Sequence, residues 1–137
     1  MATFFYAFDW HPVKAQENQV FVTKFKARAG YEPKSGDIMG YVSTYMMAQA
    51  IEKGGLETDG LIRALRGAEF KTLLGDVVIR DFDGQATFGY NTGLTYTNPK
   101  YPFKRLKDVT RATGEEVLHT KQEVEKIRAE YLTKQSK

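Results

Sequence analysis

Residues 20–55 read VFVTKFKARAGYEPKSGDIMGYVSTYMMAQAIEKGG, and their periodicity decides the fold. Phe21, Val22, Phe25 and Ala29 recur at helical steps and form one apolar stripe, with Lys24, Lys26 and Arg28 largely off it. The helical pattern starts near Val13. Gly30 suits the position just past a helix C-terminus, and Pro33 stops any continuation. Ser35 or Asp37 then caps a second helix. Its expected buried face is Ile38, Tyr41, Val42, Tyr45 and Ala48, extending to Ile51 and broadened by Met46 and Met47. Tyrosines and methionines at this spacing read as core rather than as a cofactor-binding stripe. Gly54 and Gly55 end the helix.

Upstream, residues 3–8 (TFFYAF) are aromatic and β-prone, and predict a strand. Asp9, Trp10, His11 and Pro12 break it, because proline disfavours helix at the residue before it. Downstream, Thr58 or Asp59 is expected to cap a short helix over residues 60–66, with Leu61, Ile62 and Leu65 inward. Gly60 weakens its first turn. The period then changes towards 2. Residues 76–80 (DVVIR) predict a strand, and Asp83-Gly84 predicts a two-residue type I′ hairpin turn. Residues 85–97 read as one or two further strands, interrupted by Gly89 and Gly93. After the loop signals Asn98-Pro99 and Tyr101-Pro102, residues 105–111 alternate again. A last helix spans about residues 120–132, with Thr120 and Glu123 as a capping box and Val124, Ile127, Tyr131 and Leu132 as its stripe. The fold class is therefore α/β, with helices packed on a small incomplete sheet and a C-terminal helix. Residues 1–112 form the main unit and residues 113–137 a helical tail. No repeat of 20–50 residues is present.

The chain has 137 residues, enough for one domain with a moderate core. With 42% hydrophobic and 27% charged residues it has globular composition, not that of a disordered chain or coiled coil. No apolar run is long enough to span a bilayer. The first ten residues lack the basic region and cleavage site of a signal peptide and read better as the strand. Cysteine is absent, which excludes disulfides, zinc-thiolate sites and thiol catalysis. The net charge of +3 is uneven, with ten Lys/Arg against six Asp/Glu from Pro99 onward. Such a tail reads as a solvated helix face of mixed charge.

Catalytic signatures are missing. His11 and His119 lie far apart, and neither has a metal-ligand neighbour at helical spacing. Asp81-Phe82-Asp83-Gly84 lacks the glycine position and closing glutamate of a calcium loop, so it reads as a turn. No phosphate-binding glycine loop and no nucleophile elbow occur. The aromatics fall on expected buried faces rather than interleaving with Lys/Arg on an exposed one, which argues against a nucleic-acid partner. No cofactor, metal or catalytic residue is expected.

One series of residues carries a resemblance. Phe21-Val22, Phe25, Arg28, Gly30 and Pro33 are followed by Gly40-Tyr41 and by AIEKGG over residues 50–55. Then come LRGAEF over residues 65–70, Gly75, and Asp83-Gly84-Gln85. In order and spacing, over about residues 4–132, this resembles the C-terminal part of the branched-chain amino acid-binding family, the type I periplasmic solute-binding proteins of ABC importers. The ending, with Pro102, Leu106 and Lys107-Asp108-Val109, resembles a subgroup associated with amino acids, amides and aromatic or other organic acids.

Several expectations follow from that resemblance. The fold would be a partial type I lobe, because family members have two lobes and this chain resembles only about the last third. The chain would be a fragment, a truncated product or one half of a split protein. Function would be non-enzymatic ligand capture by hinge closure, in the periplasm, with a small-molecule ligand and the membrane subunits of an ABC importer as partners. Ser35, Gly36 and Asp37, at a helix N-terminus, would approach the ligand, although Ser35 and Asp37 are also ordinary capping residues. Asp9 to His11 would lie at a crossover between lobes. Apolar faces without their cover would favour self-association. The alternatives are a stand-alone interaction or oligomerisation module of the same origin, and a small enzyme.

Overall fold

The computed structural model describes residues 2–3 and 16–135. In order the elements are β1 (Ala2–Thr3), α1 (Gln16–Ala29), α2 (Ser35–Gly54), α3 (Thr58–Leu65), β2 (Glu69–Thr72) and β3 (Gly75–Val78). Then follow β4 (Tyr90–Tyr96), β5 (Arg105–Ala112), α4 (Gly114–Val117) and α5 (Lys121–Gln135). Helices and small antiparallel sheets are mixed, as expected, with a helix at the C-terminal end. The expected strand over residues 3–8 and the break at Asp9 to Pro12 fall, beyond Thr3, outside the described residues.

The α1–α2 turn follows its sequence closely. Gly30 takes φ +77, and its N–H reaches the Lys26 carbonyl at 2.9 Å. Helix α2 then starts one residue earlier in its cap than expected. Lys34, in extended conformation, is the N-cap, and Ser35 is the first helical residue. Asp37 serves from the third helical position, where its carboxylate accepts the Lys34 N–H at 2.8 Å.

The core forms where α2 crosses the β2–β3 hairpin. Ile38, Val42 and Met46 from α2 pack with Phe70 from β2 and Val77 from β3. Phe21, Leu65, Leu73, Leu74, Ile79 and Phe88 close around them. The buried stripe of α2 is therefore Ile38, Val42, Met46 and Ala50. Tyr41, Tyr45 and Ala48, expected inside, are exposed instead. Apolar residues outside the stripe, Tyr41, Tyr45, Met47 and Ala48, hide its direction, and the hairpin selects only one side of the helix. On α1 the stripe is partly as expected: Val22 is buried and Phe21 and Phe25 half-buried, but Ala29 is exposed.

Helix α3 is capped by Glu57 without a side-chain hydrogen bond, which corrects the expected Thr58 or Asp59 cap. Its start is fixed by close approach. A Cβ on Gly60 would collide with the Gly54 carbonyl, and a Cβ on Gly54 with that of Gly60. The glycine that weakens the helix locally is what lets α3 cross α2. Ile62, expected inward, is exposed, while Leu61 and Leu65 are half-buried.

Among the described residues two separate sheets result. One is the β2–β3 hairpin, with Thr72 opposite Gly75. The other has the order β1-β4-β5, all antiparallel. At residues 81–84 the loop holds Gly84 at φ +73, while Asp83 has negative φ. Arg80 N–H bonds the Gln85 carbonyl at 2.9 Å. This is a four-residue loop rather than the expected two-residue type I′ turn. Beyond β5, α5 has the expected Thr120–Glu123 capping box, and Val124 is buried. Ile127, Tyr131 and Leu132, expected to share its packed stripe, are exposed.

Candidate functional site

Ser35, Gly36 and Asp37 occupy the first turn of α2. Helix geometry leaves the N–H groups of Ser35 and Gly36 without intrahelical acceptors and gives this end a partial positive field. Gly36 is exposed, and a Cβ there would meet nothing within 4 Å. Asp37 is half-buried and already engaged. One oxygen accepts the Lys34 N–H at 2.8 Å and the other the Tyr31 hydroxyl at 3.3 Å. Desolvation first, then the Asp37 charge and hydrogen bond, raises the Tyr31 phenol above its ordinary pKa. Lys34 Nζ lies 5.7 Å over the Tyr31 ring. An ion pair between Lys26 and Glu32 and the buried Pro33 hold the turn beneath.

Tyr31 begins a chain of rings that leads from this turn. It meets Phe25 edge-on at 5.3 Å between centroids, Phe25 meets Phe21 at 5.8 Å, and Phe21 meets Tyr41 at 4.8 Å. Tyr41 stacks on Tyr45 at 6.2 Å, with 4° between planes. These rings, except Tyr31, line an open groove of about 1220 Å³ between α1, α2 and the hairpin. Glu17, Lys24, Arg28, Lys71 and Asp76 also line it. The volume exceeds the roughly 300–1,000 Å³ of small-molecule pockets, so the groove is wider than one small ligand requires. The three expected site residues stay together at the helix end but do not line it. Sequence reading missed the groove because the tyrosines that form it have core-like spacing.

Other expectations resolve simply. His119 is exposed, with Nδ1 3.8 Å from Glu123. Asp83 accepts from Arg80 and from the Gln85 N–H at 3.0 Å, within the loop it was expected to form. Among the described residues no group of three or more His, Asp or Glu is placed to hold a metal. Asp9 to His11, the expected crossover, lie outside the described residues.

Helices packed on a hairpin, beside a second small antiparallel sheet, make up a portion of a mixed α/β lobe. The family model described as periplasmic binding protein matches residues 1–93, more than half of the sequence, and the chain belongs to that family. Its members are non-enzymatic, extracytoplasmic transport receptors. The chain is similar to an ABC-type branched-chain amino acid transporter of Rhodopseudomonas palustris CGA009, with 28% identity and a TM-score of 0.68, over 84% of this chain and 30% of that one. A leucine-, isoleucine-, valine-, threonine- and alanine-binding protein of Brucella ovis, in its closed conformation, is 19% identical with a TM-score of 0.64, over 88% and 32%. A solute-binding protein of R. palustris BisB5 in complex with 3,4-dihydroxybenzoic acid is 19% identical with a TM-score of 0.65, over 83% and 31%. The last two likenesses concern the fold alone. The chain spans less than a third of each relative, consistent with a partial type I lobe. No match is found among curated protein sequences.

Proposed function

We propose that this chain is part of an extracytoplasmic solute-binding receptor that delivers amino acids or related small organic acids to an ABC importer by closing around the ligand. The family match over residues 1–93 carries this reading. Support for the ligand class comes from the 28%-identical relative described as an ABC-type branched-chain amino acid transporter. The membrane subunits of an importer are the macromolecular partner, and nucleic acid is not. Among the described residues no helix is long and apolar enough to cross a membrane. Residues 1–112 belong to the ligand-binding unit, and residues 113–137 form a helical tail.

Ser35, Gly36 and Asp37 contact the ligand. The exposed N–H groups at the start of α2 suit a carboxylate, and Asp37 suits an ammonium. A thermal-shift series with amino acids and hydroxybenzoates tests this. A ligand at 100 times its Kd stabilises by about 2.7 kcal/mol. The expected result is a shift with one ligand class, read from each protein's own unliganded melting temperature, that Asp37→Asn diminishes; the unliganded value itself falls as well, because Asp37 caps α2 at the Lys34 N–H. A well-folded sample unresponsive to every ligand favours the second reading, an interaction or oligomerisation module, for which the uncovered groove argues.

A further inference from the structure

Helix α5 runs for 15 residues, and every one of them except Val124 is exposed. It lies beyond residue 93, where the family model ends. An isolated helix of this length is marginal in water. Its first turn is closed locally, with the Thr120 N–H donating to Glu123 at 2.7 Å. Two contacts with the body gather at its entry. Arg80 Nη1 donates to the His119 carbonyl at 2.6 Å, and Val124, one turn on, is buried. Further along, Ile127 is 50% exposed and Tyr131 61%. A helix held at one end and wet along the rest belongs to the low-stability part of a structure.

Arg80 is set for this grip by groups that do not belong to α5. Its Nε and Nη2 donate to the two Asp83 oxygens, and its guanidinium carbon lies 4.4 Å from the centre of the Phe82 ring. Both partners sit in the loop after β3, so the guanidinium keeps its orientation whether or not α5 is in place. Nη1 is the nitrogen directed at the His119 carbonyl. On the other side of that carbonyl the link from α4 is short and extended, with Leu118 at φ −90 and ψ 146. A few such residues between two elements can absorb a hinge rotation. We infer that α5 is a hinged arm, pivoting over residues 118–120, and that Arg80 is the clasp that holds it closed against the loop after β3. Opening exchanges one charge-assisted hydrogen bond and the cover of Val124 for water, and leaves the core around Phe70 and Val77 intact. It also bares Val124 in line with Ile127 and Tyr131, three and seven residues on, so the closed clasp withholds one member of an apolar stripe. The inference depends neither on the receptor reading nor on a bound ligand.

The chain has no cysteine, so Val124→Cys supplies a single thiol whose alkylation rate reads the opening of the arm. Val77→Cys, made separately, gives the same reading for the core. Each is measured in the full chain with native Arg80 and with Arg80→Lys. Lysine keeps a positive charge beside Asp83 but has no planar fork to hold the carboxylate and the His119 carbonyl together. The expected result is a slow reaction at position 124 with native Arg80 that speeds up about tenfold or more in Arg80→Lys, the usual effect of losing a hydrogen bond from a charged group, while position 77 keeps its rate. An unchanged rate at position 124 overturns the inference. So does an equal rise at both positions, because α5 then leaves only when the whole core opens. A thiol at position 124 that reacts, with native Arg80, as fast as one placed by Ile127→Cys overturns it as well, since no closed state then exists.

Discussion

Arg80 binds more of its surroundings than any residue discussed for the candidate site. Its guanidinium pairs with both Asp83 oxygens, bonds the His119 carbonyl at 2.6 Å and lies 4.4 Å over the Phe82 ring. It thereby joins the loop after β3 to the entry of α5. The Arg80 hydrogen bond, followed by the Gln85 N–H, holds Asp83 below its ordinary carboxylate pKa. The Thr113 and Thr120 N–H groups act likewise on Glu116 and Glu123. In each case the unfolded chain binds the proton more tightly, so this stability is present above about pH 4 and lost as pH falls through the folded-state value. Urea midpoints are expected to hold from about pH 7 to 5 and to fall below about pH 4. Asp83→Asn should lower the neutral-pH midpoint and flatten the acid limb.

Asp108 is the other informative residue. Between Thr92 and Leu94 the β4–β5 register shifts, and Asp108 takes φ +52 there. That conformation disfavours most side chains, so Asp108→Gly is expected to stabilise by about 0.5–1 kcal/mol. A denaturation midpoint that falls instead would mean that the aspartate side chain stabilises the bulge.

Among elements, α2 and α3 meet at a close Gly54–Gly60 approach, with Leu65 of α3 packed against the core beside it. Gly60→Ala forces a methyl into the Gly54 carbonyl and is expected to cost about 2–3 kcal/mol, measured by chemical denaturation. A cost below about 1 kcal/mol, the usual range of a tolerated swap, would show that the crossing relaxes freely. Local signals located the elements well wherever the chemistry acts within a few residues. Gly30 ends α1, Thr120 with Glu123 begins α5, and residues 105–111 form a strand. The Thr113–Glu116 capping box of α4 has the same signature but went unread, so α4 was missed. Strand β2 was missed too, because its hairpin turns through Leu73 and Leu74. Those residues resemble core, and the positive φ falls on Gly75 beyond them.

For the whole molecule, one small core carries the packing between helices and hairpin. Phe70 is fully buried there, with Lys53 Nζ 5.7 Å from its ring. Phe70→Ala is expected to cost about 3–5 kcal/mol, a large share of the ~5–15 kcal/mol that holds a domain. Loss of a cooperative thermal transition in calorimetry would be its signature. Retention of the wild-type melting temperature would place the principal core elsewhere. The β1-β4-β5 sheet meets this core region through specific polar and backbone contacts. Arg111 bonds the Leu74 carbonyl at 2.7 Å, and Gly114 packs closely against the Thr87 backbone.

The sequence by itself determined the end of α1 at Gly30, the Thr120–Glu123 cap of α5, the presence of strand β5 and the family, because these depend on neighbouring residues or on motif order. Ser35, Gly36 and Asp37, the proposed ligand turn, lie in the first turn of α2. Tertiary structure alone decided which side of α2 is buried. With no charge between Ile38 and Ile51, periodicity gives the helix no polar side, and only the position of Phe70 and Val77 breaks the tie. That choice turned Tyr41 and Tyr45 from expected core into an exposed aromatic surface.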